Sequence, residues 1–303
     1  MPQYPLRRSL LALLALVGAS HAAQAQTPAQ VQQRAISVAP LVRPAFERDE
    51  LARLDALRDT TTRDAATRAT RYSTLRAPSR QLPWPTRGTT RTIALTLLTP
   101  ELTLGHNSQL PYGFNDGPSW QGRGLNLQIT AGIALTLGPL RVIVAPQYLS
   151  SANTGYQTIP YRQDASENRS QWANPFHPAP GGIDLPLRFG DQPLHTVDAG
   201  QSSVTLRLPL VELGVSTENV WWGPGMQNAI LWGSQGAGVP SAFLRTRAPI
   251  KTRLGTWDAW YTVGDLRESD YFDRSPANDH RSQGAIAIAW QPPHSTGVEF
   301  GIA

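Results

Sequence analysis

Hydrophobic and polar residues alternate with a period of two along much of the chain, which is typical of β-strands. The clearest case is 124–137, where every odd position is leucine, isoleucine or alanine and every even position is small or polar. A strand that crosses a membrane needs about 9–11 residues, with apolar side chains on its lipid face. This segment therefore predicts a transmembrane strand whose odd positions form the lipid face.

The same alternation predicts nine strands in all. They are expected at 91–104, 124–137, 140–149, 201–208, 210–219, 243–254, 256–265, 283–290 and 297–303. The links join the strands in order along the chain, and each strand should run antiparallel to the next, as in outer-membrane barrels.

The links between these strands are alternately long and short. Long polar links are expected at 105–123, 150–200, 220–242 and 266–281, and short ones at 138–139, Pro209, Gly255 and 291–294. Outer-membrane barrels have tight periplasmic turns and long external loops, whereas a soluble β-sandwich has shorter strands with short turns at both ends. The sequence thus predicts an all-β, antiparallel transmembrane outer-membrane β-barrel.

The first 90 residues differ in composition from the β region. Within residues 1–25, Arg7-Arg8 precede a short apolar run, and small residues follow it. This arrangement is typical of a secretory signal peptide. Residues 26–90 predict a small helical segment of one or two marginal helices and a Pro-rich linker, since near-helical apolar spacing accompanies i,i+4 ion pairs. A solvated arm is the alternative for 26–76. The partial transmembrane barrel then occupies 91–303.

The amino-acid composition excludes some kinds of binding site and some classes of partner. The chain has no cysteine, which excludes disulfides, Fe–S clusters and thiolate metal sites. Its formal charge of +5 comes from arginines that are interspersed with acidic residues, and Lys251 is the only lysine. Nucleic-acid binders instead cluster their basic residues on one face, so we expect no nucleic-acid partner. Dispersed arginines would suit anionic sugars or the phosphates of lipopolysaccharide.

The sequence offers little support for an enzyme. Histidines 106, 177, 195 and 280 fall in the predicted external loops, and no Gly-x-Ser-x-Gly, His-Glu-x-x-His or glycine-rich phosphate loop accompanies them. His106-Asn107-Ser108 superficially matches the His/Ser/Asn set of outer-membrane phospholipases, but adjacency in sequence says nothing about geometry. We expect no enzymatic activity, no cofactor and no metal site.

A double-tryptophan motif at 218–228 is the most distinctive stretch, because Trp221-Trp222 runs into Gly223-Pro224-Gly225. Adjacent strand residues point to opposite faces, so one indole can face inward and the other outward. The motifs that flank it in order are Ile183-Asp184-Leu185-Pro186-Leu187-Arg188-Phe189-Gly190, Asp198-Ala199-Gly200-Gln201-Ser202-Ser203, Phe243-Leu244-Arg245-Thr246-Arg247-Ala248-Pro249 and Glu268-Ser269-Asp270-Tyr271-Phe272-Asp273.

This succession resembles the Wzi-type capsule assembly family, the outer-membrane lectins that hold capsular polysaccharide at the surface of Gram-negative cells. The resemblance extends from about 102 to 273, and 233–241 departs from the family pattern. It implies an 18-stranded barrel, so a chain with nine strands is expected to be an N-terminal fragment. It also implies a periplasmic helical part in 26–90 and a place in the outer membrane, in contact with lipid and lipopolysaccharide, where the protein anchors capsular or exported polysaccharide. We expect a monomer. The alternative is a porin-like channel for sugars or other small solutes.

Sugar binding commonly combines aromatic faces, which cover sugar C–H groups, with amides, carboxylates and arginines for the hydroxyls. The predicted external loops contain this mixture of side chains. The candidate polysaccharide-binding residues are Trp221, Trp222, Arg245, Arg247, Tyr112, Asn115, Asp116, Trp120 and Trp172. For each aromatic residue, the alternative is packing of one loop against another.

Three carboxylates lie on the polar phase of predicted strands, where they would face the barrel interior. They are Glu212, Asp258 and Glu299. We expect them to pair with the interior arginines Arg141, Arg207 and Arg253 rather than to bind a ligand.

Overall fold

The computed structural model describes residues 75–82, 84, 93–158, 176, 186–223, 229–271, 277, 279–293, 298 and 300–303. All of them belong to one compact unit, Ala39–Ala303. The predicted signal peptide, almost all of the predicted helical segment, and the candidate Trp172 lie outside the described residues.

Strands dominate the described residues, and helix is confined to a single turn. The elements are β1 Leu75–Arg76, α1 Pro78–Gln81, β2 Ile93–Asn107, β3 Gly124–Leu137, β4 Leu140–Val144, β5 Gln147–Ser151, β6 Leu194–Asp198, β7 Ser203–Arg207, β8 Val211–Ser216, β9 Trp221–Trp222, β10 Ser241–Thr246, β11 Ile250–Thr252, β12 Gly255–Arg267, β13 His280–Gln291 and β14 Phe300–Ile302. The prediction of an all-β antiparallel fold is confirmed at this level.

Among the described residues, twelve strands form one sheet, and β1 and β9 form a separate antiparallel pair. In the large sheet β4 and β5 lie end to end along β3, and β6 and β7 continue the next row. Likewise β10 and β11 lie end to end along β12. The rows follow chain order, and each of the nine predicted strands overlaps one row, although 201–208 covers only β7 of the row that β6 and β7 form.

Proline and glycine account for the interruptions within rows. The register between β2 and β3 shifts between Leu98 and Glu101, where Pro100 has no backbone N–H to donate. Pro146 likewise separates β4 from β5. Gly200, which lies between β6 and β7, forms a bridge with Ala145, and a Cβ there would lie 2.3 Å from the Ala145 carbonyl oxygen. Close approach of the two backbones therefore requires glycine at 200.

The two faces of the sheet have opposite polarity. On β3, Leu125, Ile129 and Ile133 are exposed, whereas Asn126 and Thr130 are buried. We call these sides the exposed face and the buried face. Large exposed apolar residues on other strands include Ile93, Leu95, Leu97, Leu102, Leu104, Val204, Leu206, Leu213, Val215, Leu244, Tyr261, Val263, Ile286, Phe300 and Ile302. The odd and even phases predicted for 124–137 therefore match the observed faces.

The ends of the sheet differ as the link lengths predict. At one end, called the short-turn end, Gly138-Pro139, 208–210 and 253–254 join consecutive strands. Gly138 has φ 55°, a left-handed conformation that glycine adopts without steric cost. At the other end, called the long-loop end, the connections are 108–123, 152–193, 217–240 and 268–279.

Several sequence predictions need correction. His106 and His195 lie in β2 and β6 and His280 begins β13, whereas the sequence predicts all three in loops. The loop expected at 150–200 contains β6, whose mixed polarity conceals its strand character. Leu75–Arg76 form a strand instead of helix because they pair with β9. No helix within the described residues has the length and hydrophobicity to cross a membrane.

Candidate functional site

The long-loop end contains an open cavity of about 840 Å³. Residues from all four long connections contribute to its lining. The lining consists of 110–121, 149–151, Tyr156, Pro186, Leu187, Phe189, Leu194, Thr196, Asp198, 235–237 and Tyr271. Ligand pockets for small molecules have volumes of about 300–1,000 Å³, so this cavity is large enough for a short oligosaccharide.

Two loops are joined beside the cavity through Asn115. Its backbone has φ 57°, and its side chain is only 3% exposed. The Gln235 Nε2 donates to Asn115 Oδ1 at 2.9 Å, and the Gly117 N–H donates to the Ser234 carbonyl oxygen at 2.9 Å. These bonds fix the 108–123 loop against the 217–240 loop, so Asn115 positions the cavity wall.

Asp116 occupies the next position on this wall. Its Oδ2 accepts a hydrogen bond from the Phe114 N–H at 2.5 Å, and its carbonyl oxygen accepts one from the Ser119 N–H. Burial raises the pKa of the Asp116 carboxyl above its ordinary value, and the Phe114 bond opposes this rise. Asp116 therefore places a partly desolvated carboxylate in the lining.

An aromatic row crosses the cavity from one loop to another. Trp120 meets Phe189 edge to face with 4.9 Å between ring centroids, and Phe189 meets Tyr271 in the same manner at 5.7 Å. The Trp120 indole N–H also donates to Asn153 Oδ1 at 3.1 Å. Trp120 thus serves both to hold the loops together and to line the cavity.

Asn153 holds the 186–193 segment in place. Its Nδ2 lies within hydrogen-bond distance of the carbonyl oxygens of Phe189, Gly190 and Gln192, at 2.9, 3.0 and 2.9 Å. The Tyr156 hydroxyl donates to the Leu187 carbonyl oxygen. Burial raises the pKa of the Tyr156 hydroxyl, against the opposing effect of Arg188. The segment that carries Phe189 is therefore fixed by side-chain groups from a neighbouring stretch of chain.

Tyr112 has a different environment, since its side chain is 75% exposed. Phe114 is also exposed, and both residues line the cavity. An exposed aromatic ring such as that of Tyr112 can cover the apolar side of a sugar. The structure thus brings together four of the predicted candidates, which are Tyr112, Asn115, Asp116 and Trp120.

The double tryptophan lies apart from this cavity and is buried. Trp221 is 0% exposed and Trp222 is 1% exposed, although the strand pattern allows one of the two indoles to face outward. Trp222 packs against Trp260 with 6.1 Å between ring centroids, and its strand β9 pairs with β1. Both indoles therefore contribute to packing in this fold. Residues 224–228 of the motif lie outside the described residues.

Arg245 and Arg247 are also separate from the long loops, although the sequence groups both with the loop residues as candidates for polysaccharide binding. Arg245 is 2% exposed and lies in β10 opposite Glu212, with 3.1 Å between Arg245 Nη2 and Glu212 Oε2. Arg247 is exposed at the short-turn end, where its N–H donates to the Leu210 carbonyl oxygen. The reason is that β10 begins at Ser241 and runs away from the loops.

The expected interior ion pairs are present in part. Glu212 pairs with Arg207 at 2.9 Å, as predicted, and with Arg245 in addition. Asp258 pairs with Arg80 at 3.0 Å, whereas Arg253 is exposed. The partner of Asp258 differs from the predicted ones because Arg80, which precedes the sheet in the chain, supplies a cation to the buried face. Glu299 lies outside the described residues.

The 75–84 segment lies against the buried face of the sheet. Ser79 Oγ donates to Glu218 Oε2 at 2.8 Å, and Arg141 Nη1 donates to the Leu82 carbonyl oxygen at 2.7 Å. The guanidinium carbons of Arg141 and Arg207 lie 4.0 and 3.9 Å from the ring centroid of Trp84. Hydrogen bonds and cation–π contacts thus attach this segment at several points.

Sequence reasoning omitted four residues that build the cavity, namely Asn153, Phe189, Gln235 and Tyr271. Phe189 and Tyr271 belong to the flanking motifs quoted above, so their position in those motifs was a usable signal. Asn153 and Gln235 act through bonds between loops, which no local pattern indicates. Within the described part of the chain, no group of three or more His, Asp or Glu side chains is placed to hold a metal ion.

Comparisons of this chain with protein-family models, curated proteins and solved structures found no match. Function therefore has to be inferred from the chain's own residues and their geometry.

Proposed function

We propose that this protein is an outer-membrane β-barrel protein of capsule assembly, a surface lectin that anchors capsular or exported polysaccharide. The observation that carries the proposal is an aromatic cavity at the long-loop end of a sheet whose exposed face is apolar. The double-tryptophan motif and its flanks, which resemble the Wzi-type family, support the same assignment.

The exposed face supports residence in a lipid bilayer. Leucine, isoleucine and valine side chains extend over consecutive strands on this face, while arginine, glutamate and asparagine are buried on the other. A soluble protein rarely exposes an apolar patch of more than a few hundred Å², whereas a transmembrane barrel requires one. The predicted signal peptide is consistent with export to the outer membrane, where lipid and lipopolysaccharide would cover this face.

The position of the cavity supports a role at the cell surface. Long loops of outer-membrane barrels are extracellular and short turns are periplasmic. In that orientation the cavity opens toward the external medium, where an exported polysaccharide is found. Its six aromatic residues, Tyr112, Phe114, Trp120, Tyr156, Phe189 and Tyr271, are accompanied by amides, hydroxyls and carboxylates.

The 75–84 segment favours a lectin over the porin-like alternative. It occupies the buried face, which would line the interior of a closed barrel, and it is attached there by the Arg80–Asp258 ion pair and the Trp84 stack. A segment in that position obstructs the passage of solutes. Retention of a polymer on the external loops needs no open channel.

A substitution at Tyr112 tests the proposal in the full-length protein, in a Gram-negative host that makes capsule. Tyr112→Ala removes an exposed ring and should lower affinity by about 1 kcal/mol per site, a loss that repeats along the polymer would amplify. We expect polysaccharide to move from the cell-bound fraction to the medium. Quantitation of both fractions, together with outer-membrane fractionation, provides the measurement.

Tyr261→Ala is the matched control, because Tyr261 is exposed on the apolar face far from the cavity lining. That variant should retain polysaccharide at the level of the unmodified protein. Equal retention by cells with the unmodified protein and by cells that lack it would refute the lectin role, and normal retention with Tyr112→Ala would refute the part given to this ring. Recovery of the full-length protein as a soluble species would refute the membrane assignment.

A further inference from the structure

We infer that the cavity selects glycans whose repeating units carry no carboxylate, sulfate or phosphate group. This inference rests on the proposed function, which gives the cavity a glycan ligand. It concerns the charge of the ligand, which the sequence alone left open, since dispersed arginines would suit acidic sugars.

The charge of the lining carries the inference. Asp116 and Asp198 both line the cavity, and among the described lining residues there is no arginine, lysine or histidine. Within the described lining, an acidic sugar would therefore meet carboxylates without a compensating cation. Like charges brought together in a binding site reduce affinity strongly and exclude unsuitable partners.

Two arginines in the described parts of these loops, Arg123 and Arg188, are engaged elsewhere. Arg188 directs Nη1 to Asp191 Oδ1 at 2.9 Å and Nη2 to the Asn153 carbonyl oxygen. Arg123 donates to the carbonyl oxygens of Gly155 and Ser108. These two cations hold the loops together, lie outside the described lining, and pair with neither Asp116 nor Asp198.

Partial desolvation strengthens the effect at Asp116. The carboxyl is half-buried, and burial raises its pKa, which reflects the cost of a charge in that position. A second anion beside it would add to this cost in the same low-dielectric surroundings. Uncharged hydroxyls, in contrast, can donate hydrogen bonds to a carboxylate.

The remaining lining suits uncharged hydroxyl groups. Tyr112 and Phe114 offer exposed rings, and Gln121, Ser150 and Thr196 supply amide and hydroxyl groups. Such groups bond to sugar hydroxyls without requiring an ionic partner. The described lining thus provides aromatic rings, amides, hydroxyls and carboxylates for glycan recognition, but no cationic side chain for an anion.

The test uses full-length protein, purified in detergent and applied to an array of bacterial oligosaccharides. The array contains chains without acidic groups and chains of matched length that carry uronic acid, sulfate or phosphate. We expect binding to the first class, and binding at least about tenfold weaker to the second. Asp116→Asn, which keeps an oxygen to accept the Phe114 N–H, should raise the affinity for acidic chains.

Asp198→Asn gives a second variant if Asp116→Asn fails to assemble, because its amide oxygen can still accept the Gly200 N–H. Equal or tighter binding of acidic chains by the unmodified protein overturns the inference and leaves the lectin role intact. Unchanged affinity for acidic chains in an assembled variant also overturns it. Binding of no glycan above the Tyr112→Ala background overturns the proposed function as well.

Discussion

Trp222 illustrates how strongly a single residue can depend on its surroundings. A tryptophan pair at the end of a strand suggests a membrane interface, but Trp222 packs within a buried cluster that includes Leu75, Phe243 and Trp260. Its indole N–H has no hydrogen-bond partner among the described residues. Packing therefore accounts for its contribution to the fold.

Trp222→Ala should destabilise the protein by about 3–5 kcal/mol, because removal of a large buried aromatic residue leaves a cavity. Heat-modifiable migration and urea unfolding in detergent would report the loss. Trp257→Ala is the matched control, since Trp257 stacks on Trp290 on the exposed face and its removal leaves no enclosed cavity. Equal losses for the two variants would contradict a bracing role for Trp222.

Glu212 lies between two cations on the buried face. Its carboxylate contacts Arg207 and Arg245, and Arg245 stacks 4.6 Å from the ring centroids of Phe243 and Trp260. Removal of one partner from a buried ion pair leaves an uncompensated charge. The stability of this region therefore depends on the negative charge of the Glu212 side chain as well as on its size and shape.

Glu212→Gln should cost about 3–5 kcal/mol in the free energy of unfolding, since Arg245 would remain buried without its carboxylate. Asp191→Asn provides the control, because the Asp191 carboxylate is exposed and solvent screens its pair with the mostly buried Arg188. Chemical unfolding of both variants would distinguish the two environments. A loss at 212 no larger than that at 191 would show that Glu212 is not needed to neutralise the buried arginines.

At the scale of the element, a substitution in β3 can show whether lipid or water surrounds the exposed face of the sheet. Ile133 lies on the exposed face near the middle of the strand. In a bilayer, Ile133→Arg should cost about 2–4 kcal/mol, whereas in water the same change on an exposed position should cost little. Folding yield in lipid vesicles provides the measurement. An unaffected yield would contradict contact between this face and lipid.

The control for this experiment differs from the one that the sequence suggests. Sequence phase alone predicts that Thr130→Arg is milder than a change on the lipid face. Thr130, however, is buried and accepts a hydrogen bond from Gln147 Nε2 at 3.1 Å, so arginine there would disrupt packing. Gln128 is half-buried on the same face, and Gln128→Arg is the better control.

The 75–84 segment is a second element whose role can be measured. If the sheet closes around it, deletion of 75–84 should convert a poorly conducting protein into one that passes ions in planar bilayers. Trp84→Ala, which removes the ring between Arg141 and Arg207, should give a smaller increase. Robust conductance by the unmodified protein, with no rise on deletion, would instead favour the porin-like alternative.

At the scale of the whole molecule, sequence alone predicted the strand rows and the alternation of links well. Period-two patterns in segments such as 124–137 reflect the two environments of a sheet, and Gly138-Pro139 marks a tight turn through its own conformational preferences. The row containing β6 and β7 was only half predicted. Its first part has polar and apolar residues without strict alternation, so pairing with β5 determines it.

The candidate site was less predictable than the fold. Four loop residues at 112–120 were identified because aromatic and carboxylate side chains suit sugars, and they do line one cavity. Arg245 and the two tryptophans were placed with them, but their positions depend on tertiary contacts with Glu212 and Trp260. Whether a polar or aromatic side chain packs inside or faces a ligand is decided by neighbours distant in sequence.

The antiparallel ladders have a mechanical consequence for a protein that holds a polymer. The hydrogen bonds between antiparallel strands lie perpendicular to the strands. Each long connection that lines the cavity joins two strands of the sheet. A force on a bound polysaccharide along the strand direction loads these hydrogen bonds in shear. Many of them must therefore break together before any strand is withdrawn from the sheet. Between β12 and β13 the load would extend from the Thr256–Gln291 pair to the Arg267–His280 pair.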